Sequence, residues 1–450
     1  MPISSADYLS EPARRTPVLA EVDVLVLGGG PAGIAAAASA ARAGASTLLI
    51  ERYGFLGGMG TAAGVTNFCG LFANVHGEIR RVVHGIADEL LERIAALGGL
   101  AEPHDIFGKT RAQAYDMSAY KCAADDLVLE SGAKLLFHAL AVGASMKNEA
   151  EIDALLVETK SGRRAIRARM FIDASGDGDL AAFAGAPWEK SEHLLYPTLM
   201  FRVSNVDPEK AQEAIRDIPR LMEQAQASGE FKFPRMGAIV RPMKNPAEWR
   251  ANVTQIRNAE GQAMDGTDAA QFSAGELEGR RQIRDYIRFL RARVPGFEKS
   301  YVFDIAPQVG IRETRRVMGD YALSGEDVLA CASFADSIGV NGWPLEQHVV
   351  GDVNWSWPPI PQSRGFNQMP YRMLVPKKID NLLVAGRCAS MTQSGQSAAR
   401  VSGGCFVMGQ AAGVAAAMAL KAKLRPREMN AGALQQRLEL EGAYLGRDVE

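Results

Sequence analysis

The sequence predicts an α/β protein, in which a parallel sheet is joined to an antiparallel meander and interrupted by an inserted α+β region. Three apolar runs carry that expectation: Val22–Leu27, Phe171–Asp173 and Leu382–Ala385. Each is short, rich in β-branched or aliphatic residues, and stopped by small residues and a glycine, the pattern of a strand buried on both faces. A long stretch between the last two, from Gly185 to about Pro295, loses that rhythm.

The first run leads directly into Gly28-Gly29-Gly30-Pro31-Ala32-Gly33, which satisfies G-x-G-x-x-G. A small-residue helix from about Ala32 to Ala43 stops at Gly44, and a second strand, Ser46–Ile50, ends on Glu51. Each part has a job in a Rossmann-like dinucleotide-binding unit. Gly28 permits the tight turn, Gly30 lets backbone approach a pyrophosphate, and Gly33 lets the helix pack against the sheet. The helix N-terminus, with Pro31 and Ala32, faces the phosphate charge with free N–H groups and a positive dipole end. Glu51 accepts hydrogen bonds from a ribose diol and repels a 2′-phosphate, which disfavours NADP. A second glycine cluster, Gly57-Gly58-Met59-Gly60, follows Glu51-Arg52 and points to backbone wrapped around a long extended ligand.

At this point the chain resembles FAD-dependent oxidoreductases of the glutathione-reductase-like superfamily, on Glu51-Arg52, Gly57-Gly58 and the strand before them. It is most similar to bacterial flavoproteins related to the flavin-carrying part of heterodisulfide reductase. The resemblance implies a Rossmann-like FAD-binding domain. Residues 1–185 and 366–423 would build it, residues 186–365 would form the substrate domain, and 424–450 a helical tail. Asp173-Ala174-Ser175-Gly176-Asp177-Gly178-Asp179 is similar to the family segment that ends beside the FAD pyrophosphate, which implicates Asp173 and Gly176. Gly386-Arg387 matches the final FAD segment, and the helix after it, through Gly409 and Ala412, would aim its N-terminus at the flavin. Backbone near Ala141 would meet the adenine. Arg400 matches a family position expected to face flavin or substrate. A histidine that relatives carry after the threonine equivalent to Thr392 is Gln393 here, and glutamine is no general base at neutral pH.

Taken in order, Ile79–Leu97 reads as one amphipathic helix and Asp116–Ser131 as another. Lys134–Ala141, Ile152–Thr159 and Ala165–Phe171 read as the meander, with a turn at Ser161-Gly162. Leu199–Val203 reads as a strand, Glu209–Ser228 and Ala274–Arg293 as helices; the arginines of the second suit a solvated face. Gly310-Ile311-Arg312-Glu313-Thr314-Arg315-Arg316 resembles a family run and supports two readings: anion recognition through guanidinium, with Arg312 foremost, or an internal Arg–Glu network. Asp352–Pro361 reads as a Trp- and Pro-rich loop near the site.

Composition narrows the function further. With 450 residues, 50 Lys+Arg, 52 Asp+Glu and net charge -2, the chain has no basic surplus for nucleic acid. Met1–Val18 has no apolar signal-peptide core, and Ile34–Ala41 and Gly409–Leu420 read as too short for a bilayer. No membrane association is expected, and the five scattered cysteines suit a reducing cytoplasm. No C-x-x-C or ferredoxin-like run offers iron–sulfur ligands. Asp173, Asp177 and Asp179 lack the register of a calcium loop, and no metal is expected. The six histidines form no ligand-spaced cluster and read as structural or surface residues. No second strand–GxGxxG–helix unit marks a built-in NADPH domain. The expected activity is hydride transfer between a small-molecule substrate and flavin N5, with an unknown electron acceptor and compatible with a homo-oligomer. The rivals are an electron-transfer component of a heterodisulfide-reductase-like complex and a flavin monooxygenase.

Overall fold

Why the parallel strands converge is visible in their register. In the computed structural model, which describes residues 11–449, the strand β1 (Val18–Leu27) pairs in parallel with β2 (Thr47–Ile50) on one side and with the Gly162–Asp173 strand on the other. Leu27 lies level with both Ile50 and Asp173, and Asp173 lies level with Val384 of the Leu382–Val384 strand. Four strands therefore stop on one line, and four loops begin there: after Leu27, Ile50, Asp173 and Val384. In open α/β sheets that edge, outside the carboxyl ends of the strands, is where ligands bind.

The sheet has seven strands, with Lys134–Leu136 beyond β2. The first half of the Gly162–Asp173 strand pairs antiparallel with Ile152–Thr159, which in turn pairs with Leu140–Met146. The parallel sheet and its meander are thus as expected. Helix α1 (Pro31–Arg42) covers one face, and the Ser402–Ala422 helix lies against it. Glycine decides that contact. A Cβ on Gly409 would stand 2.1 Å from Ala32 O, and one on Gly413 2.2 Å from Ala36 O. This helix is long and apolar enough to cross a bilayer, so the length argument made from sequence fails. Its burial is instead that of a core helix, with 83% of its most apolar window inside the protein.

A second core sits on a four-stranded antiparallel sheet, ordered Ile239–Pro242, Trp249–Asn252, Phe201–Ser204 and Tyr301–Ile305. It is backed by the Ala269–Arg293 helix, whose arginines pair with Glu276, Glu278 and Asp285 on the exposed side. Trp249, Phe289 and Phe297 fill this core. The first core draws on residues from 24–186 and again from 317–445.

Several expected elements differ. Ile79–Leu97 is not one helix. Glu78–Arg81 is the return strand of a hairpin, and the helix Ile86–Ala96 starts after Gly85, whose φ is +73°. Glu209–Ser228 breaks into Pro208–Ala214 and Ile218–Ala227 because Pro219 has no N–H to continue the first helix. Asp352–Ser356 is a strand, paired with Leu345–Val349. A helix that the sequence did not signal, Gln393–Ala399, starts at Thr392, whose Oγ1 accepts from Gly395 N at 3.2 Å. The predicted tail is helical over Ala431–Leu440, and its last residue lies outside the described ones, as do residues 1–10.

Candidate active site

The four converging loops open into one cleft of about 370 Å³. One end of it is the glycine cradle. Gly28 and Gly33 are small for internal reasons: a Cβ on Gly28 would stand 2.5 Å from Ala174 O, and one on Gly33 only 1.7 Å from Gly28 O. Gly30 is different. A Cβ there would meet only Gly58 Cα at 3.7 Å and would project into the cleft. Protein packing does not require that glycine; a ligand against the backbone does. The first N–H groups of α1 have no side-chain cap, so they and the dipole are left for a phosphate. A dinucleotide fits this cradle by shape and charge.

Of the residues singled out in the sequence, Gly28, Gly30, Pro31, Ala32, Glu51 and Arg52 line the cleft, and so do Gly58, Met59 and Ala141. Gly176, Gly386, Arg387, Arg312 and Arg400 line it too. Glu51 accepts from Gly29 N at 2.7 Å and Tyr53 N at 3.0 Å. A carboxylate has about four lone-pair sites, so half its accepting capacity remains for a ribose. Arg387 is fixed by Asp177 Oδ1 at 2.9 Å, and Gln396 Nε2 donates to the Arg387 carbonyl at 2.8 Å.

Five expected cofactor contacts lie elsewhere. Asp173 is fully buried beneath its loop, where it accepts from Ser175 N, Ser175 Oγ and Ala181 N at 3.0, 2.6 and 2.9 Å. Burial pushes its carboxyl up to about 6 against the pull of those donors. It positions the loop that carries Gly176. Gly33, Gly409 and Ala412 serve the packing of α1. Gly57, at φ +108°, donates to Gly29 O at 2.8 Å and pins the second glycine loop over the first. The N-terminus of the Ser402–Ala422 helix does reach the cleft, at Ser402 and Cys405. Gln393 does not: its Nε2 donates to buried Glu313 at 2.7 Å.

The Gly310–Arg316 run divides between an internal network and the cleft. Arg315 binds Asp179 at 2.8 Å, and Arg316 binds Glu313 and Glu189, an internal network. Arg312 turns to the cleft.

The far end of the cleft holds a pair that the sequence did not single out. His348 Nε2 lies 3.0 Å from Glu346 Oε1, and Trp343 Nε1 donates to Glu346 Oε2 at 2.9 Å. His348 and Glu346 are two apart on one strand and so share a face; that period was the available signal. Burial, with Arg312 nearby, pushes the His348 imidazole well below its ordinary value of 6.5. Burial alone would raise Glu346, but the His348 hydrogen bond, Arg400 and Trp343 bring it down to about 2. The pair is therefore neutral imidazole donating Nε2–H to carboxylate, with Nδ1 lacking a hydrogen bond from any described residue.

A doubly layered α/β sheet with a phosphate-binding turn, a terminal acid on the second strand and a second glycine loop defines a dinucleotide-dependent enzyme. The chain belongs to the FAD dependent oxidoreductase family, whose model matches residues 23–438. Among solved structures it is similar to a geranylgeranyl bacteriochlorophyll reductase-like protein from Thermoplasma acidophilum, at 15% identity and TM-score 0.46 over 94% of this chain and 84% of that one. It is also similar to p-nitrophenol 4-monooxygenase from Pseudomonas putida, at 11% identity and TM-score 0.45 over 93% and 84%. A third is anhydrotetracycline hydroxylase from Streptomyces rimosus, at 13% identity and TM-score 0.45 over 93% of this chain and 65% of that one. No curated protein matches it.

Proposed function

We propose that the protein oxidises a small alcohol or amine, with FAD along the glycine cradle and His348 as the proton acceptor. The observation that carries this reading is the continuity of the cleft from Gly30 to His348. Bound FAD supplies the two-electron acceptor for the hydride. The α1 N-terminus would hold the pyrophosphate, Glu51 the ribose, and the Ser402 end of the long helix would favour negative charge beside it. The substrate C–H leaves as hydride while its O–H or N–H proton passes to His348 Nδ1. Glu346 fixes the ring through Nε2 and stabilises the imidazolium that forms, as a carboxylate partner does in other His-dependent sites. Trp343 and Trp355 wall this end from water. An external acceptor completes turnover.

The test is a visible spectrum of protein purified without added cofactor, before and after denaturation, followed by anaerobic substrate screening. Flavin bands released on denaturation, bleached by a substrate without oxygen, support the reading. Oxygen-18 from labelled O₂ in the product would replace it with the monooxygenase one. A broad brown absorbance would favour the electron-transfer role. A colourless protein that takes up no FAD would overturn all three.

A further inference from the structure

We propose that the far arm of the cleft is a carboxylate-binding site, formed by Arg241, Arg250, Arg312 and Arg400, and that the substrate is a small organic acid. What becomes of that acid rests on the oxidoreductase reading above; the binding site stands on its own residues.

All four arginines line the cleft. They come from separate elements. Arg241 and Arg250 sit on adjacent strands of the four-stranded sheet, Arg312 on the loop after it, and Arg400 just before the Ser402–Ala422 helix. None is in ion-pair contact with a carboxylate among the described residues. Arg312 Nη1 donates to Tyr196 O at 2.6 Å and Thr198 Oγ1 at 2.8 Å, both uncharged acceptors. Arg250 reaches only Val65 O, at 3.3 Å, and its Nε is buried without an acceptor. Arg241 donates only to the carbonyl of Val240. The guanidinium of Arg400 donates to no described group, and its Nε and Nη2 are both buried.

For Arg250, Arg312 and Arg400, which are less exposed than Arg241, such an arrangement is costly to a folded protein. Guanidinium stays charged when buried, and desolvation without a counter-charge is unfavourable. Two buried arginines elsewhere in the same protein are answered by acids, Arg387 by Asp177 and Arg316 by Glu313, while Arg364 is met by backbone carbonyls and Ser333, and Arg235 by Asn252. Within the arm, Glu346 is committed to His348 and Trp343. Asp105 also lines the cleft, on an exposed hairpin where it accepts from Gly108 N. The balance is positive, and burial together with the charge of Arg400 holds the Arg312 guanidinium well below its usual range. The missing counter-charge is the ligand's.

Carboxylate suits the arm better than free phosphate. Its planar oxygens match the guanidinium fork. The Trp343 and Trp355 rings, with centroids 5.9 Å apart, leave an apolar wall for a carbon skeleton.

Thermal-shift titrations of the full-length protein as purified would test this, using lactate, succinate and benzoate against lactamide, succinamide and benzamide, with inorganic phosphate as a further probe. Flavin content is measured on each sample. At least one acid is expected to raise Tm where its amide does not. Arg400→Gln and Arg241→Gln are expected to weaken that binding at least tenfold with flavin content unchanged, and Arg400→Lys to restore part of it. Arg241 is exposed, so its variant folds even if Arg400→Gln does not. Amides binding as well as acids, acid binding that both glutamine variants leave intact, or phosphate alone binding would each overturn the inference. Full flavin with no acid-dependent shift removes this inference and leaves the oxidoreductase reading. An acid-dependent shift in a protein that binds no FAD does the reverse.

Discussion

At the scale of single residues, the role proposed for His348 makes its protonation the sharpest expectation. A histidine held below 6.5 in the fold stays neutral through the pH range where free imidazole becomes charged. As an acceptor it is competent above its folded pKa, so kcat/KM is expected to stay flat as pH falls through 6.5. The sign for stability runs the same way. Folded protein prefers the neutral ring, so this contribution is present above 6.5 and fades as pH falls through that value towards the folded pKa. An acid limb centred at 6.5 would show instead that the ring ionises normally and sits in water. His348→Gln should lower kcat by roughly 10²- to 10⁴-fold, the usual share of a general base, with flavin content unchanged. The glycines of the cradle were legible in the sequence because each meets a local demand that spacing records. Arg312 and Arg400 were legible through their runs, but Arg241, Arg250 and the histidine were not. Arg241, Arg250, Arg312, Glu346 and Arg400 are brought together only by packing of the second sheet against the loops of the first, and no run of sequence places them side by side.

At the scale of elements, three glycines that look alike in sequence should fail in different ways. Gly30→Val places a side chain in the cleft without a clash, its Cβ in ordinary contact with Gly58 Cα at 3.7 Å. It should leave circular dichroism and Tm near those of the apo wild type and abolish flavin binding. Gly33→Val drives its Cβ towards Gly28 O, and Gly409→Val towards Ala32 O. Each should destabilise by about 1–3 kcal/mol or more through overpacking, and lose flavin only as a consequence. Denaturant midpoints measured alongside flavin content separate the two classes. If Gly30→Val unfolded like the other two, the cradle would be a packing device. The elements themselves were legible where composition and a terminal glycine agreed, as in α1, whereas the Ala269–Arg293 helix, expected from Ala274, starts five residues earlier at the Asp268 cap. They misled where apolar spacing ran across a break. Ile79, Val82 and Val83 fit a helical period with Ile86 onward, yet the His76-Gly77 turn and Gly85 commit the first part to a hairpin.

At the scale of the whole molecule, two hydrophobic cores meet across the cleft, joined by scattered hydrogen bonds and, among the described residues, one ion pair. Gln308 N donates to Ala62 O at 3.0 Å, Arg52 reaches Gln308 Oε1 at 3.3 Å, and Lys190 pairs with Asp265. A long ligand in the cleft touches both sides, since the cradle belongs to one core and Met200, Gly310 and Ile311 line it from the other. Ligand bound to the folded state stabilises by RT ln(1 + [L]/Kd), about 2.7 kcal/mol at a hundredfold excess over Kd. Because the same ligand bridges both cores, that free energy also couples their unfolding. Stripped of flavin, the protein should melt in a broadened or two-step transition, the second core separating from the first. With FAD restored, calorimetry should show a single transition at higher Tm that rises with the logarithm of FAD concentration. Gly30→Val should behave as the stripped protein at every FAD concentration. A single sharp transition without flavin, unmoved by adding it, would mean that the interface already couples the two cores and that the cleft contributes nothing to holding them together.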